Sequence, residues 1–401
     1  MMKSLAKRVA ILVTVLFFTL LSFSGVDAQT RTLKLGTLEP LSGPAAAYGI
    51  PAKEGAMMAV DEINEAGGLK IGNERIKIEL LISDHAAKGS EAVNIVEKYI
   101  ERDGINIIVG DLITTCALAW APVIERYKGK VMALGHPSDP SISRNNPHIF
   151  SSKQPVTEYF EGAARFLAKD LKVKKVFMMT VSDDFGGIVA RGMKKEFEKN
   201  GIIVIMEKLY NAKDTDYYTQ LTVAKGLDFD CLFVAGILPA PHFIFKQAKE
   251  LGIKAKMVVI AGAGEKDSLK RFKCEDLEGT YDLGNPAEPL MRTGLKAAVR
   301  IANNYEKKYG KAITPLAIQA YETMRIIAAG LEKAGTIDDI SKIMEGLHKL
   351  TVNDVNDVMF NIHTPAPGTT DKLFDQNRRI NSRVVSAKWE NCQMKFMGWI
   401  K

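Results

Sequence analysis

The stretch 107–140 constrains this chain most. Ile107-Ile108-Val109 is a β-branched run of strand length, and Gly110-Asp111 breaks it. Thr114-Thr115-Cys116 then opens a segment, 117–127, in which Leu118, Val123 and Ile124 have helical spacing. A second apolar run, 131–134, ends in Gly135-His136-Pro137-Ser138-Asp139-Pro140. The stretch therefore reads strand, polar turn, helix, strand, polar turn. In a parallel sheet both turns fall at the carboxyl ends of strands, where ligands of α/β proteins bind. Backbone N–H groups and hydroxyls there suit something small and anionic.

The same grammar precedes and follows it. Strand 33–37 runs into the breaker-rich Leu38-Glu39-Pro40-Leu41-Ser42-Gly43-Pro44, and a helix from Pro51 carries Ala56, Met57, Val60 and Ile63 at helical spacing. Ile76, Ile78, Leu80 and Ile82 alternate with polar residues as a strand ending at Asp84, and a helix over 91–101 leads into the opening stretch. After Phe150 the order restarts: strands over 175–180, 202–206, 230–235 and 256–260, separated by helices, with Ser182-Asp183-Asp184-Phe185-Gly186 as the first turn. Strands repeatedly separated by helices imply parallel sheets covered on both faces, here as two similar α/β lobes. Beyond Tyr281 come helices over 290–309, 315–334 and 337–350, then strand-like runs at 383–385 and 394–399. A chain that returns in this way recrosses between the lobes, and clefts between lobes are preferred ligand sites.

The first 28 residues read as a secretory signal peptide cleaved near Ala28: Lys3, Lys7 and Arg8, an apolar run over 9–23, then Val26-Asp27-Ala28. The apolar run is shorter than the ~20 residues that span a bilayer. Removal leaves 373 of 401 residues and moves the formal charge from +7 to +5. That excess is scattered, without an aromatic-interleaved patch, so nucleic acid is not an expected partner. Cys116, Cys231, Cys274 and Cys392 show no metal-ligand spacing. An oxidising compartment allows one disulfide, with its pairing left open, and a buried free thiol accounts equally well for Cys231.

The series Glu39-Pro40-Leu41-Ser42-Gly43-Pro44 with Ala47-Tyr48-Gly49, Ile63-Asn64-Glu65-Ala66-Gly67-Gly68, Asp84, Val109-Gly110 with Thr114-Thr115, Ser138-Asp139-Pro140, Ser182-Asp183-Asp184-Phe185-Gly186, Lys213-Asp214-Thr215-Asp216-Tyr217 and Ala320-Tyr321-Glu322 resembles one family. It is that of the periplasmic substrate-binding proteins of branched-chain amino acid ABC transporters, the leucine/isoleucine/valine-binding type. The resemblance implies a type I periplasmic binding fold: α/β, two doubly wound parallel-sheet lobes joined by three hinge crossings near 151–156, 281–285 and 353–374. Lobe 1 would comprise 29–152 plus 284–355, and lobe 2 would comprise 153–283 plus 356–401.

Carried over residue by residue, the resemblance puts the ligand carboxylate on Thr114 with Thr115, and on the turn of His136 and Ser138. Tyr48 and Phe185 would wall the ligand side chain, and Ile237 or Leu238 stands where the family has a tyrosine. The family's acid for a ligand ammonium is displaced here, where Ala261-Gly262-Ala263-Gly264 precedes Glu265. Glu265, Glu39 or Asp183 would replace it, or the ligand has no amine. An ammonium desolvated without counter-charge is costly, so an aromatic or aliphatic acid is the favoured variant.

Blander roles stand beside these: threonines at a βα turn commonly cap the next helix, and Tyr48, His136 and Phe185 suit ordinary packing. No P-loop, dinucleotide fingerprint, H-E-x-x-H or G-x-S-x-G is present, so no cofactor, metal or catalytic residue is expected. His85 beside Asp84 reads as a solvated polar turn. The expected function is an exported, periplasmic, monomeric solute-binding component of an importer. It would deliver a small carboxylate or amino acid to the transmembrane subunits of an ABC permease by lobe closure. The alternatives are a ligand sensor on the same fold and an exported α/β enzyme.

Overall fold

The computed structural model describes residues 31–400 apart from 136–138, 140, 154–155, 237, 261–263, 285–286, 356–371 and 381–383. In the first lobe, β1 (Thr32–Glu39), β3 (Glu74–Asp84), β4 (Ile107–Val109), β5 (Met132–Gly135) and β6 (Ile149–Ser151) are parallel. β2 (Leu69–Ile71) pairs antiparallel on the edge, giving the order β2-β3-β1-β4-β5-β6. In the second lobe β7 (Lys175–Val181), β8 (Ile203–Tyr210), β9 (Cys231–Ala235), β10 (Lys256–Ile260) and β11 (Tyr281–Asp282) are parallel. The antiparallel hairpin β12 (Val384–Glu390) and β13 (Gln393–Ile400) completes the order β13-β12-β11-β10-β9-β7-β8.

The strand compositions explain these positions. Ile107–Val109, Met132–Gly135 and Cys231–Ala235 are buried along their whole length, as parallel strands covered on both faces must be. β8 is the edge and leaves Ile203 and Leu209 exposed. The covering helices of the first lobe include α1 (Ala46–Glu65), α2 (Gly89–Glu101) and α3 (Thr114–Arg126). α4 (Ser141–Asn145) is a short turn of helix before β6. In the second lobe α5 (Val156–Lys169), α6 (Asp184–Lys199), α7 (Tyr218–Lys225) and α8 (Ala240–Glu250) alternate with strands, and two short helices, α9 (Glu265–Leu269) and α10 (Cys274–Leu277), precede β11.

The chain crosses between lobes three times. It leaves the first sheet after Ser151 and returns after Asp282 through α11 (Ala287–Arg292), α12 (Lys296–Tyr309), α13 (Pro315–Ala334) and α14 (Ile340–His348). The helix expected over 290–309 is broken at Gly294, and α1 begins ahead of Pro51, which it contains. α13 packs against α1 so closely that a Cβ on Gly55 would sit 1.9 Å from the Ala317 carbonyl oxygen. The last crossing comes later than the expected 353–374. Leu373, Phe374 and Ile380 fill the first lobe's core, and Arg379 bridges to Ser151. Burial of those apolar side chains holds this part of 356–401 on the first lobe, and only β12 and β13 belong to the second sheet.

Cys274 and Cys392 form a disulfide that ties α10 to the β12–β13 turn, whereas Cys116 and Cys231 are free and buried. No helix among the described residues is long and apolar enough to cross a membrane.

Candidate functional site

The loops after β4, β5, β7, β9, β10 and β11 open onto one cleft of about 1340 Å³ between the lobes, as the position of the βα turns requires. Thr114 and Thr115 line it as the first two residues of α3. The helix cap is Ile113, and its side chain makes no capping bond. The positive end of α3's dipole therefore faces the cleft together with two hydroxyl side chains, which is a ready anion site.

The turn that presents them is braced from behind. Gly110 has φ 117°, a conformation open to glycine, and a Cβ there would press on Glu39 Oε1 at 3.2 Å. Asp111 Oδ1 accepts the Ile113 amide at 2.7 Å, and Glu39 Oε2 accepts the Leu112 amide at 3.2 Å. Glu39 is buried beside Asp111, and desolvation with that neighbouring charge pushes its carboxyl well above the usual range. Glu39 is thus a support under the turn and not one of the residues lining the cleft, which removes it as a counter-charge for a ligand.

His85 is also fully buried rather than solvated, with Nε2 3.2 Å from Asp111 Oδ1. Its Nδ1 accepts the Ala87 amide at 3.1 Å, so the neutral ring carries its proton on Nε2. His85, Asp111 and Cys116 offer ligand atoms within 4.8 Å of one another. The ring presents N–H rather than a lone pair to the other two, and burial lifts the Cys116 thiol to about 12, so this is a poor metal set.

Glu265 is a second correction. At the start of α9, its Oε1 and Oε2 take Arg292 Nη2 and Nη1 at 2.6 and 2.7 Å, and Oε2 also accepts the Met394 amide at 2.8 Å. The carboxylate is spent on joining α9, α11 and β13, because a bidentate guanidinium satisfies it where it is buried. It is not among the residues lining the cleft.

Asp183 does line the cleft. It caps α6 by accepting the Gly186 amide at 2.8 Å and stays exposed at the rim. Tyr48 lines the facing lobe from the first turn of α1, and burial followed by the charge of Asp183 pushes its phenol up. Phe185, half-buried, and Leu238 also line the second-lobe wall. His136, Ser138, Ile237 and the run 261–263 lie outside the described residues.

Lys153, Tyr159 and Glu322 are among the lining residues that the sequence did not single out. Burial holds the Lys153 ammonium down at about 8. The Tyr159 hydroxyl donates to the Leu283 carbonyl at 2.7 Å, and Glu322 is fully buried on α13. Lys153 falls within the expected crossing 151–156, and a crossing necessarily passes the cleft. That position was the signal that could have identified it.

A periplasmic binding protein family model matches residues 32–393. The chain belongs to the periplasmic binding protein family. This family member is 26% identical over 338 residues to the leucine-, isoleucine-, valine-, threonine- and alanine-binding protein of Pseudomonas aeruginosa, covering 82% of this chain and 85% of the relative. A leucine binding protein from Thermotoga maritima superposes with TM-score 0.71 at 22% identity, covering 92% of this chain and 99% of that one. A solute binding protein of an ABC transporter from R. palustris, in complex with benzoate, superposes with TM-score 0.74 at 14% identity, covering 92% and 96%. The resemblance to the branched-chain amino acid type and the two-lobed type I fold are both borne out. The R. palustris neighbour and one from Rhodopseudomonas palustris BisB5 are both described as solute binding proteins of ABC transporters.

Proposed function

We propose that this periplasmic binding protein is the exported, monomeric solute-binding component of an ABC importer and captures an aromatic or aliphatic carboxylate without an amine. Thr114 and Thr115 at the positive end of α3, with Ser138, take the carboxylate. Tyr48, Phe185, Leu238 and Ile237 enclose the apolar part. Closure of the lobes over the ligand gives the form that the permease transmembrane subunits accept, and preferential ligand affinity for that form drives the shift. The observation that carries the absence of an amine is the engagement of Glu265 by Arg292, away from the cleft. With Glu265 so engaged, the acid that the resemblance offers to an ammonium is withdrawn, and desolvating an ammonium without that counter-charge is costly. The complex of the R. palustris neighbour with benzoate is in keeping with this reading.

The second reading is an amino acid ligand. It is favoured by the printed names of the curated relatives and by Asp183 and Glu322 in the cleft wall. Calorimetry and thermal-shift measurements on the mature protein decide between them, with benzoate and 4-hydroxybenzoate set against leucine, isoleucine and valine. Stabilisation by the benzoates alone is expected. Selective stabilisation by the branched-chain amino acids would sink the amine-free reading.

A further inference from the structure

We propose that His242 is a specificity-determining residue of this cleft and that the acid bound here carries a hydroxyl group, which the imidazole takes at the end away from the carboxylate. This rests on the reading of the cleft as an acid-binding site, and it narrows the substrate class to hydroxylated acids, phenolic acids first. His242 stands in the first turn of α8, on the second lobe, and lines the cleft beside Gly236, Leu238 and Ile260. Thr114 and Thr115 line it from the other lobe, so the two polar ends of one ligand would be held by different lobes.

The imidazole is held in place by its neighbours. It is 2% exposed, and its backbone amide donates to the Pro239 carbonyl at 3.0 Å. Two aromatic rings meet it edge to face: Phe272 at 5.3 Å between centres and 86°, and Trp389 at 6.5 Å and 84°. Phe272 lines the cleft as well and lies two residues before Cys274, while Trp389 lies three residues before Cys392. The Cys274–Cys392 bridge therefore ties together the two segments that flank the imidazole.

The ring lacks a polar partner. Its contacts among the described residues are aromatic, with no hydrogen bond or ion pair to either ring nitrogen. Burial, opposed by no neighbouring charge, pushes its pKa down to about 3, so the ring is neutral. A neutral imidazole carries one N–H donor and one lone pair. A hydroxyl supplies the matching acceptor and donor, whereas a carboxylate only accepts and an ammonium only donates. Phe272, Leu238 and Ile260 around it suit an apolar frame bearing that hydroxyl. Arg191, Lys270 and Arg271 also line the cleft, but they are exposed and water meets their charge. The buried imidazole discriminates more sharply, because a ligand without the hydroxyl leaves its nitrogens unmatched.

The test is calorimetry on the mature wild type, H242F and H242Q with two matched pairs, 4-hydroxybenzoate with benzoate and tyrosine with phenylalanine. In the wild type the hydroxylated member is expected to bind about 10- to 100-fold more tightly, the cost of leaving a buried polar group unmatched. H242F should abolish that difference while binding the member without the hydroxyl as well as the wild type does. H242Q keeps a donor and an acceptor and should retain the preference. Melting curves establish that both variants fold, and the wild-type ratio tests the inference without them. Equal affinities within the pair in the wild type, or an undiminished ratio in H242F, overturn the inference. Loss of the preference in H242Q as well as H242F assigns it to ring shape and also overturns it. Should the wild type take tyrosine and neither benzoate, the amine-free reading falls, and the tyrosine-to-phenylalanine ratio still decides the role of His242. Binding of none of the four overturns the inference, and titration with leucine then decides the amine-free reading separately.

Discussion

The Cys274–Cys392 bridge joins residues 118 apart, and that separation sets how much stability it supplies. In the chain-entropy account, closing a loop of this length removes about 16 cal/mol/K from the unfolded ensemble, or about 5 kcal/mol at 25 °C. Native disulfides typically deliver ~2–4 kcal/mol. We therefore expect C274A/C392A to lose about 4 kcal/mol. For a unit the size of the second lobe that lowers its Tm by roughly 8–16 °C. The variant should also show a steeper dependence on urea, because an unbridged unfolded chain exposes more surface. Thiol titration of the unfolded, unreduced wild type should give two groups, from Cys116 and Cys231, and reduction should raise the count to four. An unchanged Tm in the double variant, with the titration as stated, would refute the reasoning that the bridge stabilises by restricting the unfolded chain.

Thr114→Ala combined with Ser138→Ala should weaken carboxylate binding at least tenfold in calorimetry while leaving the melting curve in place; unchanged affinity removes both from the site. Arg292→Met strips a bidentate partner from Glu265 and should cost about 2 kcal/mol, less than a fully buried pair because the guanidinium is partly exposed, with ligand affinity unaltered. Loss of binding in that variant would return Glu265 to the cleft. Gly55→Ala places a methyl 1.9 Å from the Ala317 carbonyl oxygen and should destabilise the first lobe by about 2–3 kcal/mol in urea melts. Burial, then the charge of Glu265, raises the Glu288 carboxyl to about 7. The folded state thus holds a proton that the unfolded chain has released, and stability falls as pH rises from about 4.5 to 7, by up to about 3 kcal/mol. Glu288→Gln should flatten that slope in urea midpoints taken across the window.

The parallel strands were legible because burial leaves an apolar run, unbroken in Ile107–Val109 and continuous after Lys256 in Lys256–Ile260, and the bounds of both strands are those the sequence implies. β2 and β11 escaped it, since two or three residues carry no period of their own and are strands only through their partners. The position of the cleft followed from topology, and Thr114 and Thr115 stood out in a βα turn, whereas Tyr48, Phe185, Leu238 and Asp183 came from the family resemblance; all six line the cleft. Glu39 and Glu265 were misplaced for a common reason. A carboxylate in a turn looks available in sequence, but its real partner can be distant: Arg292 is 27 residues from Glu265, and Leu112 is 73 from Glu39. Lys153 and Glu322 were missed because they lie at a crossing and on a helix, outside the turns from which a ligand set is ordinarily assembled.

Three passages between the lobes also dictate the order in which the molecule can be finished. Neither lobe is an unbroken length of chain, since the first needs α13 and Ile380 and the second needs β12 and β13. While the polypeptide is still being made, the first sheet lacks the helix that covers α1, and β11 offers an unpaired edge to any passing strand. The first defect is removed once α13 is made, the second only by the closing hairpin of β12 and β13. A nascent chain stalled after Ile380 is therefore a sticky fragment with an open sheet, and the last hairpin is what makes the protein safe to release.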